Sequence, residues 1–127
     1  MRSRILKSAL AMSIVVLLGT AAAAEAVVLY TPPLRAESSV LHCNAFNASN
    51  RSITVKARLY EEATGTLKAT GTLTFAPGRG SSLAYTADTV FGAVCRFSYT
   101  GTANEIRGSA SIMDFGGSTT RVIVEAR

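Results

Sequence analysis

Apolar side chains recur at every second position through most of the chain after residue 26, and this period of two predicts β-strands. The clearest run covers residues 52–60, where Ile53, Val55, Ala57 and Leu59 alternate with polar or amphipathic residues. Successive side chains of a strand point to opposite faces. We therefore expect one face of this strand to be buried and the other to contact water.

Other segments show the same alternation or are short, β-branched apolar runs, and they lie at 27–30, 41–45, 67–75, 83–87, 93–99, 106–112 and 122–126. The segments between them are short and rich in turn-forming residues, and no long helical pattern separates them. Strands at this spacing are typical of a sandwich or a barrel. The pattern predicts an all-β domain of about seven to eight antiparallel strands.

Turn-forming residues mark the reversals of the chain. Ala76-Pro77-Gly78-Arg79 places Pro second and Gly third, which favours a type II turn. Thr31-Pro32-Pro33 ends the first strand, and we expect that strand at a sheet edge because proline cannot donate to a central ladder. Further reversals are predicted at 47–52, 61–65, 101–104 and Gly116-Gly117. Two glycosylation-type triplets begin at Asn47 and Asn50, and they indicate that the reversal at 47–52 is an exposed loop.

The amino-terminal segment has the three parts of an export signal. A basic stretch at residues 1–7 precedes an apolar stretch at 9–19, and small residues follow it. Cleavage after Ala24 or after Ala26 satisfies the small-x-small rule, and we favour the second site. The alternative is an uncleaved anchor, since the alanines could lengthen the apolar span to about 17 residues. The prediction is a signal peptide at 1–26 and a single β-sandwich domain at 27–127.

Charge adds little to this description. The whole chain has a net charge of +5, but the leader contains three of the thirteen basic residues and one of the eight acidic residues. The remaining basic residues are dispersed along the sequence, whereas a nucleic-acid interface needs a concentrated stripe. We interpret them as part of a mixed, solvated surface. Mild attraction to an anionic envelope surface is the alternative.

The chain contains two cysteines, Cys43 and Cys95, and both fall on the apolar phase of a predicted strand. An even cysteine count behind an export signal favours a disulfide. The bond would close a loop of about 50 residues, for which the chain-entropy model gives roughly 4 kcal/mol of stabilisation. We therefore expect one disulfide between two facing sheets; two buried free thiols are the alternative.

The sequence resembles small exported bacterial proteins of unknown function over most of residues 38–126. The resemblance is carried by short motifs: Leu41-His42-Cys43 with Asn47, Pro77-Gly78, Cys95-Arg96-Phe97 and Ile106-Arg107-Gly108-Ser109. It implies an immunoglobulin-like or fibronectin-like sandwich with one inter-sheet disulfide, and it implies no activity. The chain departs from antibody-type domains because it has no Trp, and Ala93 stands where the tyrosine corner would be.

Residues able to carry catalysis are few. His42 precedes Cys43, but strand neighbours point to opposite faces and could not act together. His42 is the single histidine, so no site of several imidazoles can form. Glu61 and Glu62 are adjacent at a predicted turn, which favours a solvated loop over a paired acid and base. We assign no catalytic, cofactor-binding or metal-binding residue, expect no cofactor, and predict that the protein is not an enzyme.

These observations predict a secreted or periplasmic module of the cell envelope with a binding or structural role. The expected contact is a protein partner, or self-association, through an edge strand or loops. We expect no nucleic acid and, after signal cleavage, no membrane. A small secreted hydrolase or a carbohydrate-binding domain is the alternative. The absence of Trp counts against sugar stacking, although tyrosines could substitute.

Overall fold

The computed structural model describes residues 26–114 and 120–127. Side chains are described at residues 26–113 and 124–127. Nine β-strands and no helix are present in the described residues. Accordingly, no helix in these ranges has the length and apolar character of a membrane span. The strands are β1 Ala26–Tyr30, β2 Leu34–Ala36, β3 Ser39–Asn47, β4 Ile53–Glu61, β5 Leu67–Phe75, β6 Gly80–Ala87, β7 Phe91–Thr100, β8 Ile106–Asp114 and β9 Thr120–Glu125.

The strands form two antiparallel sheets. Sheet A has the order β1-β7-β4-β5, and β2 pairs with β7 on the same side as β1. Sheet B has the order β6-β3-β8-β9. The chain crosses between the sheets after β2, after β3, after β5, after β6 and after β7. The predicted all-β architecture with antiparallel pairing is therefore present.

The number of described strands, nine, exceeds the predicted seven to eight because β2 is an additional strand. It has three residues, Leu34, Arg35 and Ala36, directly after Pro32-Pro33. Three residues are too short to show an alternating pattern in the sequence. The first strand lies at the edge of sheet A as expected. The predicted signal peptide lies almost wholly outside the described residues, as does the reversal at Gly116-Gly117.

The predicted turn between β5 and β6 is present. Gly78 has a φ of +72°, the left-handed region that glycine adopts without a side-chain clash. The amide of Arg79 donates to the carbonyl of Ala76 at 3.2 Å, which closes the four-residue turn. The turn joins β5, at one end of sheet A, to β6, at one end of sheet B.

The core lies between the inward faces of the central strands. On β3, β4 and β7 the inward side chains are almost fully buried, for example Leu41 and Phe97 at 0 % exposure. Cys43 of β3 and Cys95 of β7 form a disulfide with an S–S distance of 2.03 Å and a sequence separation of 52. The bond therefore joins interior strands of the two sheets at the centre of the core, as predicted.

Candidate functional site

His42 and Cys43 lie on opposite faces of β3. Cys43 is 1 % exposed and forms the disulfide, whereas His42 lies half-buried on the outer face of sheet B. Its register partners on the neighbouring strands are Ala84 and Ser111. The two side chains are thus separated by the sheet itself, and the predicted geometry is confirmed.

Glu61 and Glu62 have different surroundings at the end of β4. A carboxylate oxygen of Glu61 lies 3.4 Å from Nζ of Lys68. The Glu62 side chain lies over Gly92, so closely that a Cβ there would be 2.9 Å from its carboxylate oxygen. In the part of the chain that the structure describes, no group of three or more His, Cys, Asp or Glu residues could hold a metal ion.

An open groove of about 610 Å³ lies where the start of β8 meets residues 125–127. Asn44 lines this groove, and its Nδ2 atom donates to Ser109 at 3.3 Å and to Ser111 at 3.1 Å. Among the described residues that line the groove, Glu125 has a carboxylate side chain. Arg107 also lines the groove. Among the described residues the groove offers hydrogen-bond donors and acceptors and one carboxylate side chain, whereas acid–base chemistry of the glycosidase type uses two.

One side of the sandwich has two unpaired strand edges. Among the described strands, β5 pairs with β4 alone and β6 pairs with β3 alone, so each ends its sheet. The two strands follow one another in the chain and lie at the same side of the sandwich. We call the residues of β5 and β6, 67–75 and 80–87, the open edge. Such edges present unpaired N–H and C=O groups to a further strand.

The apolar side chains of the open edge are incompletely covered. Leu67, opposite Tyr60 on the outer face of sheet A, is 47 % exposed. The inward side chains of Leu73, Leu83 and Tyr85 pack against the core but are only half-buried. Equivalent inward positions of the central strands, such as Leu59 at 1 %, are sealed from water. The sandwich therefore leaves an apolar strip along this side that an added strand would cover.

The open edge has little charge to prevent pairing. β6 contains no charged residue, and β5 contains one, Lys68. The Nζ atom of Lys68 lies 3.4 Å from Glu61 and 5.4 Å from the centre of the Phe91 ring. Its charge is therefore directed to neighbours of its own fold. Proteins usually protect long edges with charged residues, proline or bulges. The irregularity in the β4–β5 register is such a feature, a β-bulge at Lys68.

Asn47 holds the turn of the open edge in place. The Asn47 carbonyl accepts from Gly78 at 2.9 Å, and the Asn47 amide donates to the Arg79 carbonyl at 2.9 Å. Its side-chain Nδ2 donates to the carbonyls of Arg51 at 2.7 Å and Phe75 at 3.1 Å. Asn47 is 0 % exposed. The triplet at Asn47 therefore does not mark an exposed side chain, whereas Asn50 is exposed.

The fold also gathers basic residues that are dispersed in the sequence. Lys56 and Arg58 lie on the outer face of β4, and the β4–β7 register places Arg96 opposite Arg58. Sequence reasoning missed this cluster because 38 positions separate Arg58 from Arg96. Only the strand pairing could have revealed it, since both residues already lie on the polar phase of their strands.

These features define a class of protein: a two-sheet, all-β sandwich with a central disulfide and an open edge. The disulfide is compatible with an oxidising, exported compartment. No family model and no curated protein matches the chain. The fold is similar to the crystal structure of Thermotoga maritima 1070, with a TM-score of 0.55 and 9 % sequence identity, over 79 % of this chain and 91 % of that chain. At this identity the likeness concerns the fold alone.

Proposed function

We propose that this protein is an exported, non-catalytic module of the cell envelope that binds a protein partner or a second copy of itself by strand addition at the open edge. In strand addition, main-chain hydrogen bonds supply affinity and alternate side chains supply specificity. The observation that carries the proposal is the pair of long, nearly uncharged edges at one side of the sandwich.

Burial supports the same surface. A strand added to β5 would extend sheet A and cover Leu73, and a strand added to β6 would extend sheet B and cover Leu83. Removing such half-buried apolar area from water contributes roughly 25 cal/mol per Å². The partner strand would therefore carry apolar side chains at alternate positions.

The proposal places the protein in the periplasm or outside the cell, after removal of residues 1–26. The disulfide supports an oxidising compartment. β1 begins at Ala26, so processing after Ala24 would leave the strand whole and processing after Ala26 would remove its first residue.

We also propose that the fold is a variant of the immunoglobulin-like sandwich. In support, the disulfide joins strands that lie inside each sheet, and β7 pairs with β4 as strands F and C do in antibody domains. The last strands differ. β8 pairs with β3 of sheet B, whereas the strand that follows F in antibody domains joins F. In this variant β1 occupies the place beside β7.

Site-specific photo-crosslinking in intact cells tests the function. A crosslinking residue would replace Thr72 on β5 or Ala84 on β6, both of which are exposed. Thr54 is the matched control because it is exposed on the same face of sheet A but belongs to the central strand β4. We expect a defined adduct from positions 72 or 84 and none from position 54.

A second pair of variants separates edge pairing from accidental proximity. Lysine at an edge opposes strand addition. Thr70→Lys on β5, with the crosslinking residue at position 72, and Ser82→Lys on β6, with the crosslinking residue at position 84, should therefore each abolish the adduct. Thr54→Lys should leave it unchanged. Equal crosslinking from position 54, or adducts that persist in the edge lysine variants, would contradict the proposal.

A further inference from the structure

The outer face of sheet A carries a cluster of cations at its centre. Arg58 of β4 lies directly opposite Arg96 of β7, and Lys56 lies one outward position along β4 from Arg58. Arg58 and Arg96 are half-buried, and Lys56 is exposed. We call Lys56, Arg58 and Arg96 the basic cluster.

The position of Arg96 within this cluster is restrained by Tyr30. The Nε atom of Arg96 donates to the Tyr30 hydroxyl at 3.2 Å, and the guanidinium lies 5.9 Å from the centre of the Tyr30 ring. Tyr30 itself is 51 % exposed at the outer side of the sheet. The arginine is thus held on this face beside Tyr30.

No carboxylate neutralises the basic cluster within the described residues. The described salt bridges involve Arg51 with Glu105 and Lys68 with Glu61, and neither includes a cluster residue. The outward carboxylate of Glu62 lies over Gly92. Gly92 is four residues from Arg96 along β7, which corresponds to about 13 Å. Arg35 of β2 is the register partner of Gly92, so the Glu62 carboxylate also lies at the position of Arg35.

Two arginines in direct cross-strand register repel each other and lower the stability of the sheet. An anion between them would remove this repulsion, because guanidinium groups bind carboxylate, phosphate and sulfate oxygens with paired hydrogen bonds. The register of the two arginines is therefore better suited to a bound state than to the free protein.

Hydroxyl groups surround the cations. Thr70 lies opposite Arg58, and Lys56 lies between Ser98 and Thr72. Thr70 and Thr72 are exposed, and so are Thr54 and Thr74, whose hydroxyls are 3.0 Å apart. Tyr60 lies half-buried on the same face. A ligand with both anionic and hydroxyl groups would find partners for both along this face.

From this arrangement we propose that the outer face of sheet A binds an acidic polysaccharide, whose carboxylate, phosphate or sulfate groups contact the basic cluster while its hydroxyl groups contact the surrounding Thr and Ser side chains. Recognition rests on charge and hydrogen bonding, which removes the need for a Trp stacking platform. The basic cluster lies on the central strands β4 and β7, and Thr70 and Thr72 beside it belong to the open edge.

A membrane surface suits this face less well. Interfacial binding combines basic residues with apolar side chains that enter the lipid. On this face the large, exposed apolar or aromatic side chains of the described residues are Val28 and Tyr30 on β1 and Leu67 on β5, which lies opposite Tyr60. These side chains lie on the two outer strands of the sheet, and the central strands β4 and β7, which carry the cations, separate Leu67 from Val28 and Tyr30. They therefore do not form one continuous apolar surface that could enter lipid.

Affinity electrophoresis of the exported protein tests the proposal with four probes: polygalacturonate, dextran sulfate, neutral dextran and vesicles of phosphatidylglycerol. We expect binding to one or both acidic polysaccharides, weakening as salt is raised, and none to neutral dextran. The variant R58Q/R96Q should lose about tenfold or more in affinity, as expected for two direct anion contacts.

The matched control is R79Q/R107Q, which removes the same charge from exposed positions outside the face. Its affinity should change by less than about twofold, since distant exposed charges are screened. Thermal unfolding of both variants verifies that each is folded. Four outcomes would each overturn the proposal. They are equal losses of affinity in the two variants, binding to neutral dextran, binding to the vesicles with none to the polysaccharides, and no binding to any probe.

Discussion

Tyr30 and Arg127 exchange two backbone hydrogen bonds. The Tyr30 amide donates to the Arg127 carbonyl at 3.1 Å, and the Arg127 amide donates to the Tyr30 carbonyl at 3.0 Å. Tyr30 ends β1 in sheet A, while Arg127 follows β9 of sheet B. Arg127 therefore ties the two sheets together on the side opposite the open edge, and the two sides of the sandwich differ in this respect.

Deleting Arg127 should destabilise the domain. The deletion removes two hydrogen bonds, each of which contributes a net of about 0.5–1.5 kcal/mol, so we expect a loss of about 1–3 kcal/mol in the free energy of unfolding. Urea denaturation measures it. Arg127→Ala is the control, because it keeps the backbone groups, and it should change stability by less than about 0.5 kcal/mol. An equal loss in the two variants would assign the effect to the side chain.

Asn47→Ala should be among the most destabilising substitutions in the β3–β4 loop. It leaves the carbonyl of Phe75 without its donor and the amide of Ser49 without the Asn47 Oδ1 acceptor at 2.9 Å. Each buried group left unsatisfied costs about 1–3 kcal/mol. We expect a loss of about 2–4 kcal/mol, measured by urea denaturation.

Asn50→Ala provides the comparison for that loop. Asn50 is exposed and lies three residues from Asn47. Its replacement should leave the free energy of unfolding within about 0.5 kcal/mol of the original. If both alanine variants unfolded at the same denaturant concentration, the stabilising role assigned to the Asn47 side chain through Phe75 and Ser49 would be incorrect.

The ion pair between Arg51 and Glu105 predicts a dependence of stability on pH. Arg51 Nε lies 2.9 Å from a carboxylate oxygen of Glu105, and the Thr102 amide donates to the other oxygen at 2.8 Å. The hydrogen bond from Arg51, followed by that from Thr102, lowers the pKa of Glu105 below its ordinary 4.5. A lowered folded-state pKa gives stability that is present above 4.5 and is lost as pH falls through the folded value.

Thermal unfolding of Glu105→Gln against pH measures this contribution. The variant should be less stable than the original protein at neutral pH, and the difference should shrink as pH falls below 4.5. Arg51→Gln should show the same convergence, because it removes the other partner. A difference that stayed constant with pH would mean that Glu105 acts through packing and not through its charge.

The sequence predicted those parts of the fold that depend on local periodicity. Alternation located β3, β4 and β7, and the apolar phase of Cys43 and Cys95 placed both thiols in the core, where they are bonded. The turn at Pro77-Gly78 was equally predictable, because only glycine takes its positive φ without strain. These features are set by residues close together in the chain.

Features that depend on which strands are neighbours could not be predicted in this way. The alternation of β5 resembles that of β4, yet β4 lies inside sheet A and β5 lies at its end. The basic cluster likewise needs the register of β4 against β7. Asn47 looked like a loop residue because its burial arises from Phe75, 28 positions away. Long-range pairing decides each of these properties.

Arg58→Thr should make the protein more stable. The substitution removes the repulsion between Arg58 and Arg96, and threonine is well suited to a strand. We expect a gain of about 0.2–1 kcal/mol at low salt, measured by urea denaturation, which diminishes as salt screens the two charges. Lys56→Thr is the control, since its cross-strand neighbours are the uncharged Ser98 and Thr72, and its gain should be smaller. A loss of stability in Arg58→Thr, with none in Lys56→Thr, would show that the arginine stem packs favourably and that the cross-strand pair is not under repulsion in the free protein.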